Sequence, residues 1–220
     1  IGAHARFGRG QGGGSATVYP TEFVAPLEGL TSNAPTGTSI QYTLGVNADT
    51  GLIQFDKNYL KNPVTGTGGC LAEVVAPDGS ILLSENRFGG FFNWATQPWM
   101  FQYKFIRVSG VFTADKDGEY QFGVGMVGNY KVTIGDAVHE GFIPMHSDDL
   151  GEFVLNPPFR AFGHTLKRGE EVLIQWEYPQ GSLPIPIASF YIGFQEPSRS
   201  QAEEIADAAE LAAQSDIAVV

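Results

Sequence analysis

The sequence predicts a mainly β chain in which an antiparallel β-sandwich interrupts a partial α/β domain of the αβα type. Three observations predict this fold class: alternating apolar and polar residues in the middle of the chain, turn motifs between these runs, and an abrupt change to a helical pattern near the end. We assign residues 1–52 to the first part of the α/β domain, 53–68 to a connection, 69–197 to the sandwich and 198–220 to the resumption of the α/β domain.

The outer segments are typical of an α/β domain that is truncated at both ends. Residues 1–52 hold a glycine-rich loop, a proline-rich connection and one strand candidate, Ser39 to Leu44. The chain stops on the apolar run Ile217 to Val220, which is typical of a buried parallel strand cut short. If the two segments form one domain, residues near Ile1 must lie close to residues near Val220.

The middle region alternates with the period of a strand. Apolar side chains occupy every second position from Tyr120 to Met126, from Tyr130 to Ile134 and from Val172 to Tyr178. Ile187 to Phe194 is apolar at both parities, which predicts a strand covered on both faces. The turn motifs between the runs are Pro77-Asp78-Gly79, Asp117-Gly118, Gly128-Asn129 and Arg168-Gly169.

A helix is predicted where the alternation stops. Ser200 and Glu203 match a capping box, and small or apolar residues then recur on one helical face. These residues are Ile205, Ala208, Ala209 and Ala212. Because a helix that leads into an apolar strand is half of an α/β repeat, we interpret the sandwich as an insertion into an α/β domain.

Composition excludes several kinds of partner. The formal net charge of −11 argues against nucleic acid and anionic membrane surfaces, whereas a neutral ligand such as a sugar is compatible with it. No apolar run reaches the roughly 20 residues of a membrane span, so we predict a soluble protein, either cytoplasmic or secreted. The single Cys70 excludes an internal disulfide, and the four histidines show no metal-ligand spacing. We therefore predict neither a metal nor a cofactor.

Three motifs follow one another in the first 30 residues. Ile1-Gly2-Ala3-His4-Ala5, Gly12-Gly13-Gly14-Ser15-Ala16 and Val24-Ala25-Pro26-Leu27-Glu28-Gly29-Leu30 together resemble the start of the second, α/β domain of family 3 glycoside hydrolases, the β-glucosidase-like enzymes. The chain has Ala3-His4 where that family usually has Pro-Asn. Residues 203–220 resemble the same domain where it resumes.

The middle of the chain has a resemblance of its own. Residues 108–112, 117–122 and 130–134 are similar to the domain named after the anthrax protective antigen, which some β-glucosidases carry inserted at this point. The resemblance implies a piece of a retaining β-glucosidase that hydrolyses terminal non-reducing β-D-glucosyl residues of a small glycoside or oligosaccharide. It also implies that the inserted sandwich shapes the aglycone subsite and so limits substrate size. A non-enzymatic carbohydrate-binding module or adhesin domain is the alternative.

Neither reacting carboxyl group of such an enzyme is expected in this chain. A retaining glycosidase uses two carboxyl groups about 5–5.5 Å apart. The resemblance places the nucleophilic Asp on a barrel domain that this chain lacks, and the acid/base Glu beyond Val220. Asp148-Asp149 is interpreted as solvated surface charge. Calcium-dependent relatives of the insert use an Asp-Asp pair where this chain has Met126 to Asn129, so calcium binding is not expected.

Substrate contacts are predicted in three places. A glycine-rich loop lets the backbone approach a ligand closely, or else it is a flexible connection. Aromatic rings between residues 88 and 101 either stack on sugar rings or cap the sandwich core. The long, proline-bearing stretch from His146 to Phe162 is predicted to be a functional or mobile loop. The resemblance implies that it closes over the pocket. The predicted contacts are Gly13, Gly14, Ser15, Phe91, Phe92, Trp94, Phe153 and Phe159.

Overall fold

The computed structural model describes residues 1–6, 8, 10, 22–46, 51–197 and 200–220. The chain divides into two compact units, one made of Ile1–Thr50 with Ser198–Val220 and the other of Gly51–Pro197. The strands of the second unit form two antiparallel sheets in a sandwich-like arrangement, which confirms the predicted fold class of a mainly β chain.

The second unit holds the strands of both sheets. They are β1 (Ile53–Gln54), β2 (Leu60–Lys61), β3 (Cys70–Val75), β4 (Ile81–Arg87), β5 (Phe91–Ala95), β6 (Phe105–Thr113), β7 (Gly118–Gly125), β8 (Gly128–Ile134), β9 (Ala137–Ile143), β10 (Phe159–Leu166), β11 (Glu171–Pro179) and β12 (Ile187–Gln195). The helices are α1 (Ala3–Arg6), α2 (Pro26–Asn33), α3 (Leu150–Leu155) and α4 (Gln201–Ala213), of which α3 belongs to the second unit.

The two sheets have different strand orders. Sheet one runs β1-β12-β7-β10, with β5 also paired to β12. Sheet two runs β4-β3-β6-β11-β8-β9, with β2 also paired to β6. The strands β7 and β8 are consecutive in the chain but lie in different sheets, so the chain crosses repeatedly between the two layers. Such crossings are typical of a sandwich.

Aromatic side chains fill the space between the sheets. The Phe112 ring on sheet two lies 5.0 Å from the Phe122 ring on sheet one, measured between centroids. That pair meets edge-on, whereas Tyr178 on sheet two and Phe190 on sheet one are stacked at 4.8 Å. These rings stand on the inward positions of strands that alternate in sequence, so the alternation predicted the core-facing side chains correctly for β7 and β11.

Strand β12 is buried on both faces, as its unbroken apolar sequence predicts. Phe190 and Ile192 face the aromatic core. On the opposite face, the Ser189 hydroxyl donates a hydrogen bond to the carbonyl oxygen of Val154, the fifth residue of α3. The helix α3 therefore covers part of the outer face of sheet one.

The segment 53–68, predicted as a connection, is part of the sandwich. Its strand β1 pairs with β12 and its strand β2 pairs with β6. Between them, Phe55 is only 1% exposed and stacks on Phe194 at 5.0 Å. The prediction failed here because two-residue strands are too short to show alternation, and the burial of Phe55 depends on contacts distant in sequence.

The first unit brings the two chain ends together. The Ile1 amino group donates a hydrogen bond to the Val219 carbonyl oxygen at 2.9 Å, which confirms the predicted proximity of the two segments. Helix α4 begins with the predicted capping box of Ser200 and Glu203. The predicted strands at 39–44 and 217–220 are not formed, and Ile217 is exposed. An isolated hydrogen bond is not a ladder, and a strand requires a ladder of bonds.

The buried Cys70 gives a simple probe of the sandwich. Burial raises the pKa of its thiol to about 12, although the nearby Arg87 charge acts in the opposite direction. Because the thiolate is the reactive form, we expect iodoacetamide at neutral pH to label the native chain at least about a hundredfold more slowly than the unfolded chain. Mass spectrometry of quenched samples measures both rates. Equal rates would contradict the burial of this strand.

Candidate functional site

The predicted contact residues lie in different parts of the chain. Gly13, Gly14 and Ser15 lie outside the described residues, so their role stays a prediction. The others lie in the second unit: Phe91, Phe92 and Trp94 on β5, Phe153 on α3, and Phe159 at the start of β10. Only rings with an accessible face can stack on a sugar, so burial decides which of them form a surface.

The aromatic residues of strand β5 lie on two opposite faces of the strand. Phe92 and Trp94 are buried in the core, where Phe92 stacks on Phe190 at 4.8 Å and Trp94 meets Trp99 edge-on at 6.0 Å. Neither ring has a face open to a ligand, so we correct their expected role from sugar contact to core packing. Phe91 lies on the other face of the strand and is half-buried. The predicted stacking contact therefore remains only for Phe91 on this strand.

Strand register brings Phe91 and Phe159 into one row. Phe91 is opposite Tyr191 on β12, Tyr191 is opposite Gly125 on β7, and Gly125 is opposite Phe159 on β10. Residues directly opposite each other in antiparallel strands point to the same face. Phe91, Tyr191 and Phe159 therefore form a transverse row on the outer face of sheet one, which we call the aromatic row. At about 4.8 Å per strand, its ends lie about 14 Å apart.

Gly125 and Tyr191 complete the aromatic row. A Cβ atom at Gly125 would overlap the Tyr191 ring, so the ring lies directly against the bare backbone of β7. Burial raises the pKa of the Tyr191 phenol to about 12, so its hydroxyl keeps its proton at neutral pH and is a hydrogen-bond donor. Tyr191 is only 8% exposed, so the half-buried rings of Phe91 and Phe159 are the parts of the row that can pack on the C–H face of a sugar.

The helix α3 lies beside the aromatic row. Ser189, which holds the carbonyl of Val154, is two residues from Tyr191 on the same face of β12. Phe153 is completely buried against Val127 and Leu183. Phe153 therefore anchors α3 rather than contacting a sugar, because its ring is buried against Val127, Leu183 and the His146 ring.

The stretch from residue 146 to 162 is more regular than predicted. It contains α3 and the start of β10 rather than an irregular loop. The Asp149 carboxylate caps α3 by accepting hydrogen bonds from the backbone N–H groups of Gly151 and Glu152, at 2.9 and 3.4 Å. Asp148 and Asp149 are exposed, as predicted for surface charge. The capping role of Asp149 was missed, although Asp149 followed by Glu152 is a helix-start signature.

Glu152 ties the start of this stretch to α3. Its carboxylate accepts a hydrogen bond from the Ser147 hydroxyl at 2.9 Å and lies 3.1 Å from Nε2 of His146. The Ser147 hydrogen bond, followed by that of His146, lowers the pKa of Glu152 below its ordinary value. The ionised form is therefore the one that these contacts favour.

The lowered pKa of Glu152 predicts a response to acid. The stabilisation is present above the ordinary pKa of a glutamate and is lost as the pH falls through the lowered value. We expect backbone amides of residues 150–155 to exchange hydrogen faster, relative to amides of β11, when the pH falls below that value. Exchange measured by mass spectrometry at several pH values tests this. In the control Glu152→Gln, the acid-dependent increase in the exchange rate of residues 150–155 should be absent. If the increase persists in this variant, Glu152 does not cause it.

No family model matches this chain, and a search of curated proteins finds no match. Solved structures do match it. The β-glucosidase from Kluyveromyces marxianus in complex with glucose has a TM-score of 0.75 and 22% identity, over 98% of this chain and 26% of that chain. The selenomethionine-labelled form of that β-glucosidase has a TM-score of 0.71 and 21% identity, over 98% and 27% of the two chains.

The likeness to that enzyme is a likeness of fold. The chain spans about a quarter of the length of the β-glucosidase it matches. The match includes residues of both compact units, and it confirms the predicted resemblance to a β-glucosidase at the level of the fold.

Within the part of the chain that the structure describes, no three His, Cys, Asp or Glu side chains come together as a metal site. None of the helices in those same residues has the length and apolar character needed to cross a bilayer.

Proposed function

We propose that this chain is part of a β-glucosidase-type glycoside hydrolase that removes terminal non-reducing β-D-glucosyl residues with retention. The observation that carries the proposal is the fold match to one β-glucosidase over 98% of the chain. The match covers residues of both compact units. It therefore supports a shared domain organisation more strongly than a match to the sandwich alone would. The motifs at 1–5, 12–16 and 24–30 support the placement in family 3.

The chain then supplies scaffold and subsite walls, while the reacting groups lie elsewhere. Retention requires a nucleophilic carboxylate and an acid/base carboxyl group about 5–5.5 Å apart. In the proposed enzyme, the nucleophilic Asp belongs to a barrel domain and the acid/base Glu follows Val220. No carboxylate of residues 1–220 is given either role.

The sandwich contributes the aglycone side of the pocket in this proposal. Phe91 and Phe159 offer half-buried rings on one sheet face, and the buried Tyr191 lies in the row between them. The adjacent α3, anchored by Phe153, sets a boundary that limits substrate length. Gly13, Gly14 and Ser15 are proposed to approach the sugar through their backbone.

Binding of an aryl β-D-glucoside tests the proposal. We expect Phe159→Ala to weaken binding to the 220-residue chain about three- to tenfold, because one stacked ring contributes about 0.5–1.5 kcal/mol. Phe91→Ala should have a similar effect. Chemical-shift titration by NMR measures the dissociation constants, and absorbance of the released phenol measures turnover.

The matched control is Phe101→Ala, since Phe101 is an aromatic residue outside the row that is 78% exposed. It should bind the glucoside as the unaltered chain does. Turnover by the chain alone would contradict the assignment of the reacting carboxyls to other parts of the enzyme. If neither Phe91→Ala nor Phe159→Ala changes the dissociation constant for the glucoside, the proposed role of the aromatic row is wrong.

A further inference from the structure

A second surface that combines charged and aromatic side chains lies on the outer face of sheet two. Strands β11, β8 and β9 are neighbours there. Their outward side chains line a shallow, open groove of about 540 Å³. Its lining includes Asn129, Lys131, Glu140, Phe142, Glu177 and Pro179. We call it the β9 groove. It lies on the sheet opposite to the one that carries the aromatic row.

Charged groups line the middle of the β9 groove. Register places Lys131 opposite both Glu177 on β11 and Glu140 on β9. The Lys131 ammonium nitrogen lies 4.0 Å from the Glu177 carboxylate and 3.6 Å from that of Glu140. Both contacts are ion pairs longer than a hydrogen bond, so the ammonium and carboxylate groups keep hydrogen-bonding positions for the hydroxyls of a ligand.

An exposed aromatic ring stands at one end of these charges. Phe142 is 60% exposed and lies opposite Asn129 on β8. It is two residues from Glu140 on the same face of β9, or about 7 Å along the strand. A single sugar ring can therefore stack on Phe142 while its hydroxyls reach the side chains of Asn129, Lys131 and Glu140.

The β9 groove continues past Phe142. A second depression of about 540 Å³ shares Asn129, Phe142 and Pro179 with it and extends to Met145 and Gln180. The two depressions together form an elongated track in which Phe142 occupies the middle. An elongated track fits a ligand of several similar units better than it fits one compact molecule.

The electrostatics of the groove favour an uncharged ligand. Lys131 lies between two carboxylates. A bound cation would be repelled by the ammonium group, and a bound anion would be repelled by both glutamates. The net charge of −11 further disfavours anions. Hydroxyl groups are suited to all of these partners because each can donate and accept.

We propose that the β9 groove binds an uncharged oligosaccharide, with one sugar unit stacked on Phe142 and neighbouring units along the track. The choice of a β-linked glucan as the probe rests on the proposed function. The site itself is separate from the aromatic row, so Phe142 variants and Phe159 variants report on different surfaces.

Titration of the ¹⁵N-labelled 220-residue chain with cellotetraose and with cellobiose tests this inference. We expect backbone shifts at Asn129, Glu140 and Phe142, and tighter binding of the tetraose than of the biose. Phe142→Ala should weaken tetraose binding about tenfold, the effect of one lost stacking contact. Glu140→Ala should weaken it severalfold. Because both side chains are exposed, both variants should keep the urea midpoint of the unaltered chain.

The controls separate this groove from the aromatic row. The dissociation constant for the tetraose, obtained from the shifts around Phe142, should change less than twofold in Phe101→Ala and in Phe159→Ala. The inference is overturned if Phe142→Ala binds the tetraose as tightly as the unaltered chain, if no shifts arise around Phe142, or if a charged sugar binds there in place of the neutral one. In each of these cases, the glucoside titration of Phe91 and Phe159 variants still decides the proposed function by itself.

Discussion

Replacing Trp176 by alanine is expected to destabilise the sandwich by about 3–5 kcal/mol. Trp176 is 1% exposed on the inner face of β11, and its indole N–H donates a hydrogen bond to the Gly123 carbonyl oxygen at 3.1 Å. Since Gly123 belongs to β7, this side chain joins sheet two to sheet one. The truncation removes the ring, opens a cavity and deletes the hydrogen bond between the two sheets. Equilibrium unfolding in guanidinium chloride measures the loss.

Trp176→Phe separates packing from hydrogen bonding. It keeps most of the aromatic volume but removes this hydrogen-bond donor, so we expect a smaller loss of about 0.5–1.5 kcal/mol. The exposed variant Phe101→Ala should stay within about 0.5 kcal/mol of the unaltered chain. If Trp176→Ala cost no more than Phe101→Ala, the central position of Trp176 between the sheets would be wrong.

Phe55→Ala is expected to have a comparable effect, about 3–5 kcal/mol. The Phe55 ring lies between the sheets, stacked on Phe194 at 5.0 Å and edge-on to Trp176 at 5.6 Å. It also meets Phe112 at 6.1 Å. The residue thus stabilises the core from a segment that carries little regular structure. The same guanidinium titration, monitored by the fluorescence of the tryptophans, measures the change.

A neighbour in the same segment provides the control for Phe55. Val64 is 77% exposed, so Val64→Ala should change the free energy of unfolding by less than about 0.5 kcal/mol. A difference of several kcal/mol between the two variants is expected only if residues 53–68 pack as part of the sandwich. If Phe55→Ala were as mild as Val64→Ala, the segment would be a peripheral connection after all.

Local patterns in the sequence were sufficient for many of the elements. The alternation from Tyr120 to Met126 and from Val172 to Tyr178 predicts β7 and β11 together with their buried side chains. The capping box of Ser200 and Glu203 predicts the start of α4. These signals succeed because they depend on residues only two to four positions apart.

The candidate site depends on contacts that no local pattern contains. Phe91, Tyr191 and Phe159 form one row only through the register of four strands that are far apart in sequence. One local signal was available: Asn93 shares a face with Phe91, so it indicates that Phe92 and Trp94 point to the core. Nothing in the sequence indicates that the Tyr191 ring lies over Gly125, since that contact is set by the pairing of β12 with β7.

The most direct measurement is an intermolecular NOE experiment between an aryl β-D-glucoside and the aromatic protons of this chain. If the aromatic row is the surface that meets the substrate, NOEs should link sugar C–H protons to the rings of Phe91 and Phe159, and the Phe159→Ala chain should lose the second set. NOEs to other rings, with none to Phe91, Tyr191 or Phe159, would contradict the account.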